Sequence, residues 1–194
     1  MEYPIDLSRF GINRRVTVET GGFFSRSQLL VDGCTAPLGP RQGEFLLPRE
    51  GGGTVLARLE GVMLDPVPKV FIEGERLAVA EPFTVGQTLA ASLSFLIALS
   101  MSIAGLISLP RLSNTTGIQL MGFLCMTINL FMGVLLGFTS LIANRRILRS
   151  DMSRSAQIFS IGALTIIVII GFLVVFILLV GILQLFKGFE PNMG

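Results

Sequence analysis

Apolar and polar positions follow two different rhythms along this chain. From Arg14 to Glu81 apolar residues alternate with polar ones or come in short runs. From Leu89 onward they continue for 21 positions or more before a charge intervenes. The stretches "RRVTVET" and "TVLARLE" have the period of two expected of half-buried strands, and "SQLLVDG", "GEFLLPR", "KVFIEG" and "ERLAVAE" are short apolar runs bounded by Gly, Pro or Asp. Six strands are therefore predicted. The Gly51, Gly52, Gly53 triplet suits a turn joining Phe45–Pro48 to Thr54–Leu59, and Gly74 suits a tight hairpin between Phe71 and Val79. The first 86 residues thus read as a small antiparallel β-sandwich or open barrel. A domain of this size buries limited apolar surface, and it is expected to lean on a membrane or a partner. Phe23 and Phe24 in "TGGFFSRS" are read as core or edge packing, with a contact point as the alternative.

A bilayer core about 30 Å thick needs roughly 20 helical residues at about 1.5 Å each. Three uncharged, proline-free runs meet that length: Leu89 to Leu109, Ile118 to Ala143 and Ile158 to Phe186. The fold class predicted is therefore a β + α membrane protein, with a β-rich domain over 1–86 and a membrane domain over 87–194 containing three transmembrane helices. The third run, if wholly helical, is about 43 Å long, so it tilts or extends past the headgroups.

Small residues mark one face on each of the first two runs. In the second run Gly122, Cys125, Asn129, Gly133, Gly137 and Ser140 are spaced three or four apart, and Gly133 with Gly137 makes a GxxxG pair. Ala90, Ser94, Ala98, Ser102 and Gly105 make a comparable face on the first. Small residues let backbones approach closely in lipid, where burial of apolar surface gives no drive for association. These are the candidate helix-packing residues. Asn129 reads as a hydrogen bond across helices, or alternatively as the lining of a polar pathway. The third run is bulky and suits lipid or a wide partner surface.

Composition agrees with a membrane protein: 51% of the 194 residues are apolar and 14% charged, with a mean hydropathy of +0.73, against about 25% charged in an average soluble domain. The residual charge is unevenly placed. "NRRILRSDMSRS", residues 144 to 155, holds four arginines and one aspartate between the second and third runs. By the positive-inside rule Arg145, Arg146, Arg149 and Arg154 put this connector in the cytoplasm, and counting crossings puts the N-terminal domain there too. The 110–116 turn, with Arg111, and the tail, with Lys187, then face outward. The same arginines are candidates for contact with anionic lipid. The N-terminus offers no secretory h-region, Met1 is not followed by a myristoylation site, and "PNMG" has no prenylation cysteine.

Chemistry is sparse. No histidine is present, which removes the commonest general base, zinc ligand and haem ligand. Cys34 and Cys125 fall in different domains and are not expected to pair or share a metal. "REGGGT" lacks a phosphate-loop pattern, and Asp32, Glu44, Asp65, Glu73 and Glu75 read as solvated carboxylates. Asn114 in "NTT" formally matches a glycosylation acceptor and is discounted in so short a turn. The order "VETGGFFSRSQLLVDG", "GEFLLPREGGG" and "VPKVFIEGERLAVAEPF", followed by apolar helices, resembles bacterial membrane proteins in which a short β-domain precedes C-terminal membrane spans. The resemblance implies a multi-pass bacterial inner-membrane protein with this domain order, and no activity or site.

The sequence therefore points to a non-catalytic accessory subunit that scaffolds or stabilises a membrane complex, with a small oligomeric transporter or channel as the alternative. Neither a cofactor nor nucleic acid is expected; the expected partners are membrane lipids and other membrane-protein subunits. The orientation is directly testable. With Cys34 and Cys125 replaced, Ser153→Cys should react with an impermeant maleimide only after the membrane is opened, and labelling of intact cells from outside would reverse the assignment.

Overall fold

A computed structural model of the chain describes residues 2–20, 27–62, 65–108 and 116–188. Phe23, Phe24, Asn114, residues 109–115 and residues 189–194 lie outside the described residues. The chain divides into two compact units, Met1–Phe83 and Thr84–Gly194.

The first unit holds two four-stranded antiparallel sheets. One is ordered β1 (Glu2–Ile5), β2 (Val16–Glu19), β3 (Gln28–Val31) and β4 (Cys34–Thr35); the other is β5 (Glu44–Pro48), β6 (Thr54–Val62), β7 (Asp65–Ile72) and β8 (Glu75–Leu77). All six predicted strand regions carry strands, and two more, β1 and β4, were not anticipated. Both are short: β4 has two residues, and β1 alternates exposed and half-buried over only four residues that include Pro4. β7 starts at Asp65, four residues before Lys69, and its first part does not read as a strand in sequence because Pro66 and Pro68 sit within it. β8 stops at Leu77.

Turn chemistry sets the registers. Asp32 and Gly33 have φ of 51° and 83°, and Glu73 and Gly74 have φ of 50° and 86°. Two successive residues with positive φ make the two-residue turn whose twist matches that of paired strands, so Val31 faces Cys34 and Ile72 faces Glu75. Gly51, Gly52 and Gly53, all with φ between 94° and 97°, carry the chain from β5 to β6.

The two sheets share one apolar core, in which Leu7, Ile12, Val16, Val18, Leu29, Leu47, Val55, Val70 and Ile72 are essentially inaccessible. Backbone bonds join the sheets where the chain passes between them. The Ala36 amide donates to Leu29 on one side, and the Leu46 amide donates to Pro37 on the other. Arg49 and Glu50 clamp the short 3-10 turn Ser8–Phe10 through Arg49 Nε to the Phe10 carbonyl at 2.9 Å and the Glu50 amide to the Gly11 carbonyl at 2.9 Å. Just before that turn, the Asp6 carboxyl is held below its ordinary value by the Ser8 amide, which donates to it at 3.0 Å.

The second unit is three long helices: α1 (Val85–Ser108), α2 (Thr116–Leu148) and α3 (Arg154–Gly188). Each is long and apolar enough to cross a membrane. α2 and α3 extend beyond the uncharged runs at both ends and α1 at its start, because an apolar run marks the bilayer core, whereas a helix persists until its capping chemistry changes. α1 begins at Val85 through a capping box. The Thr84 hydroxyl accepts from the Gln87 amide at 3.3 Å, and the Gln87 side chain accepts from the Thr84 amide at 3.0 Å.

Glycine positions in the β unit separate backbone strain from crowding. Gly33 has open space where a Cβ would be, whereas at Gly43 (φ 83°) a Cβ would lie 2.9 Å from the Leu59 carbonyl oxygen. We expect Gly33→Ala to destabilise by about 1 kcal/mol, from left-handed strain alone, and Gly43→Ala by about 2–3 kcal/mol, with a steric contribution added. Hydrogen exchange of the β-unit amides in the full-length protein reads the difference; equal costs would remove the steric contribution.

Candidate functional site

Two features of the helical unit stand out. The first is the joint between α1 and α2. The helices run antiparallel, with Gly105 opposite Asn129, Ser102 opposite Gly133, and Ala98 with Phe95 opposite Gly137. A Cβ at Gly133 would collide with Ser102 Oγ, and one at Gly137 would sit 3.0 Å from the Phe95 ring and 3.2 Å from Ala98 Cβ. The two backbones therefore come together only where a side chain is missing. Phe95 and Phe138 close the edge of the joint with ring centroids 5.0 Å apart in an edge-to-face arrangement.

On α2, Gly122, Cys125, Asn129, Gly133, Gly137 and Ser140 are all buried, and Asn144 continues the same line. On α1 the buried residues are Ala91, Ser94, Ala98, Ser102 and Gly105. Ala90 is only half-buried, and Ala91 takes its place. Seven residues separate Ala91 from Ala98, the two-turn repeat that keeps a side chain on the seam between two supercoiled helices. Asn144, absent from the sequence-derived face, donates from Nδ2 to Ser94 Oγ at 3.0 Å between fully buried side chains. Its signal was the unbroken four-residue step from Ser140, hidden because the apolar run stops at Ala143.

α3 packs differently. Leu136 fills the space beside Gly171, and Cys125 packs with Met121, Met126, Val175, Leu179 and Leu183. Phe176 approaches Gly105, where a Cβ would be 3.6 Å from its ring, so all three helices meet around Asn129. Asn129 is fully buried, and neither its amide nitrogen nor its oxygen has a partner among the described residues. The hydroxyls are differently placed. Ser102 donates to the Ala98 carbonyl at 2.8 Å, Thr165 to Ile161 at 2.9 Å and Thr127, on an exposed face, to Phe123 at 3.0 Å.

The second feature is the basic turn. Arg145 and Arg146 lie in the last turn of α2, Arg149 in the five-residue connector 149–153, and Arg154 on the first turn of α3. The connector is thus much shorter than residues 144–155. It is firmly tied: Gln157 Nε2 donates to the Ser150 carbonyl at 3.1 Å, Ser150 Oγ to the Ile147 carbonyl at 2.6 Å, and Ser153 Oγ accepts from the Ala156 amide at 3.4 Å. Arg145, Arg146 and Arg149 are half-buried, whereas Arg154 and Asp151 are exposed.

In the β unit, Glu44 corrects the reading of its carboxylate as solvated. It is buried, 5% exposed, and accepts from the Arg41 amide at 3.0 Å, so it fastens the turn that leads into β5. Glu73 and Glu75 stay exposed beside Arg49 and Arg9, at 3.8 and 2.9 Å, pairs that contribute little in solvent. Asp32 accepts from the Arg15 amide at 3.1 Å, and Asp65 from the Val67 amide at 3.1 Å. Cys34 is exposed on β4. A groove of about 740 Å³ is lined by Gln28, Thr35, Leu38, Arg41, Gln42 and Phe45 among others.

No protein-family model, curated protein or solved structure matches the chain.

Two perturbations probe the joint. Gly133→Leu with Gly137→Leu should lower thermal stability by about 1–3 kcal/mol per site, as expected for overpacking. Val174→Leu with Ile177→Leu, on the exposed face of α3, should change it little; equal tolerance would deny the joint its role. In a double-mutant cycle, Asn144→Ala and Ser94→Ala should couple by about 0.6 kcal/mol, the usual strength of a hydrogen bond between membrane helices. Additive effects would mean that the bond contributes nothing.

Proposed function

We propose that this protein is a non-catalytic membrane subunit that scaffolds or stabilises a larger membrane assembly. The observation that carries this reading is the division of surfaces in the helical unit. Small residues are consumed in the α1–α2 joint, and the outer faces are bulky and apolar: Leu93 and Ile103 on α1, Phe123 and Phe131 on α2, and a row of Ile166, Ile170, Val174 and Ile177 on α3. Such a bulky row suits lipid or the flank of another membrane protein, and a β unit with its own core adds a second surface for contact. In this reading the three helices span the inner membrane of a bacterium. The β unit and the basic turn lie in the cytoplasm, as the arginine distribution favours.

A transporter or channel is the second reading, and Asn129 is the observation that favours it. A buried amide at the meeting point of three helices, with both polar atoms unpartnered among the described residues, is the kind of group that lines a polar route. Against it, Ser102 and Thr127, which would extend such a route, donate to carbonyls of their own helices.

Reconstitution separates the two. Liposomes containing the purified chain should pass no solute above the protein-free leak, and gentle extraction from native membranes should recover the chain in stoichiometric association with other membrane proteins. Solute flux from this chain alone, abolished by Asn129→Leu, would overturn the subunit reading.

A further inference from the structure

We propose that the α2–α3 turn binds the headgroup of an anionic phospholipid, with Arg149 and Arg154 as its principal phosphate ligands. Four arginines fall within residues 145–154 against one aspartate, Asp151, leaving a net charge of +3 on this short segment. The cluster lies at the ends of two helices whose neighbouring residues form membrane-length apolar runs, so a helix that crosses the bilayer delivers these guanidinium groups to the layer of lipid phosphates. Arginine matches that chemistry, since its planar fork gives two parallel hydrogen bonds to a phosphate.

Three local features define the ligand, and the second of them favours a lipid over a dissolved phosphate. The turn is pre-shaped by the Gln157 to Ser150 bond, so little ordering is required on binding. Apolar side chains adjoin the cations: Met152 within the turn, and Ile158 and Phe159, 73% and 77% exposed, one turn beyond Arg154. An amphiphile satisfies both kinds of surface at once, whereas an inorganic anion leaves the apolar side chains in water. Finally, the charge requires an anionic lipid, because a zwitterionic headgroup brings a cation of its own to a cluster already positive. The proposal stands whether or not the chain is an accessory subunit.

Full-length protein in neutral detergent can be titrated with phosphatidylglycerol, phosphatidylcholine and soluble glycerol phosphate, with binding read by native mass spectrometry. Phosphatidylglycerol should be retained at least about tenfold better than phosphatidylcholine, with its advantage shrinking as salt rises, and glycerol phosphate should not compete. Arg149→Gln with Arg154→Gln should weaken retention about thirtyfold, at about fivefold per arginine near an anionic surface, and the lysine pair at the same positions, which restores the charge without the fork, should recover only part of it. Equal retention of the two lipids by the unaltered protein would overturn the proposal without recourse to any variant, as would unchanged binding in a folded glutamine variant. Competition by glycerol phosphate would assign the cluster to a soluble phosphate instead.

Discussion

In hydrocarbon, apolar side chains gain nothing by leaving lipid for one another, so helices associate only through close contact and hydrogen bonding. The α1–α2 joint meets that constraint by omission: Gly133 leaves the space that Ser102 occupies, and Gly137 leaves the space shared by Phe95 and Ala98. Everything else in the helical unit follows from how near this brings the backbones. Asn144 reaches Ser94 because the helices are already in contact, and α3 packs against the pair with long side chains, such as Leu136 beside Gly171 and Phe176 beside Gly105. The β unit obeys the opposite rule. Its core of Val, Leu and Ile is drawn together by water, and its geometry is set by turn residues at positive φ instead of by missing side chains.

Polar groups inside the helical unit differ in how they are satisfied. Hydroxyls have a local solution, donating back to a carbonyl one turn earlier, as Ser102 and Thr165 do. An asparagine amide has two donors and an acceptor and reaches beyond its own helix, so its position along the joint decides its fate. Asn144 lies opposite a serine; Asn129 lies opposite a glycine, and a Cβ there would stand 2.6 Å from its Nδ2. Gly105 is therefore less a flexible element than a space reserved for an amide.

Much of this was legible in sequence, for reasons specific to each signal. Membrane-length helices announce themselves because no other common structure needs 20 uncharged residues in a row. The small-residue face on α2 could be read because its members step by three and four without interruption from Gly122 to Ser140. What escaped detection depended on contacts between distant residues or on the limits of the rule applied. The start of α1 was misjudged by four residues because the run was begun at its first continuous apolar stretch, Leu89, although "TVGQ" is also uncharged and is a capping box readable in its own right. β1 alternates over only four residues that include Pro4, too short a pattern to read without its pairing to β2. Glu44 looked solvated because its residue type and strand-end position do not reveal that its carboxylate folds back onto the Arg41 amide three residues earlier.

The placement of the arginines on helix ends, instead of in a loop, changes their electrostatics. Arg145 and Arg146 complement the partial negative charge at the C-terminus of α2, an interaction of about 0.3–1 kcal/mol each where exposed. Arg154 is in the opposite situation, since it occupies the first turn of α3, where the helix dipole is positive. A positive-inside topology would by itself account for a surplus of arginine in this connector, but it is indifferent to which end of which helix carries each one. A cation at a helix N-terminus is unfavourable by itself and becomes favourable when an anion sits between it and the helix amides. The position of Arg154 thus favours a negatively charged neighbour for a reason separate from the charge count, and the headgroup layer is where such a neighbour is abundant.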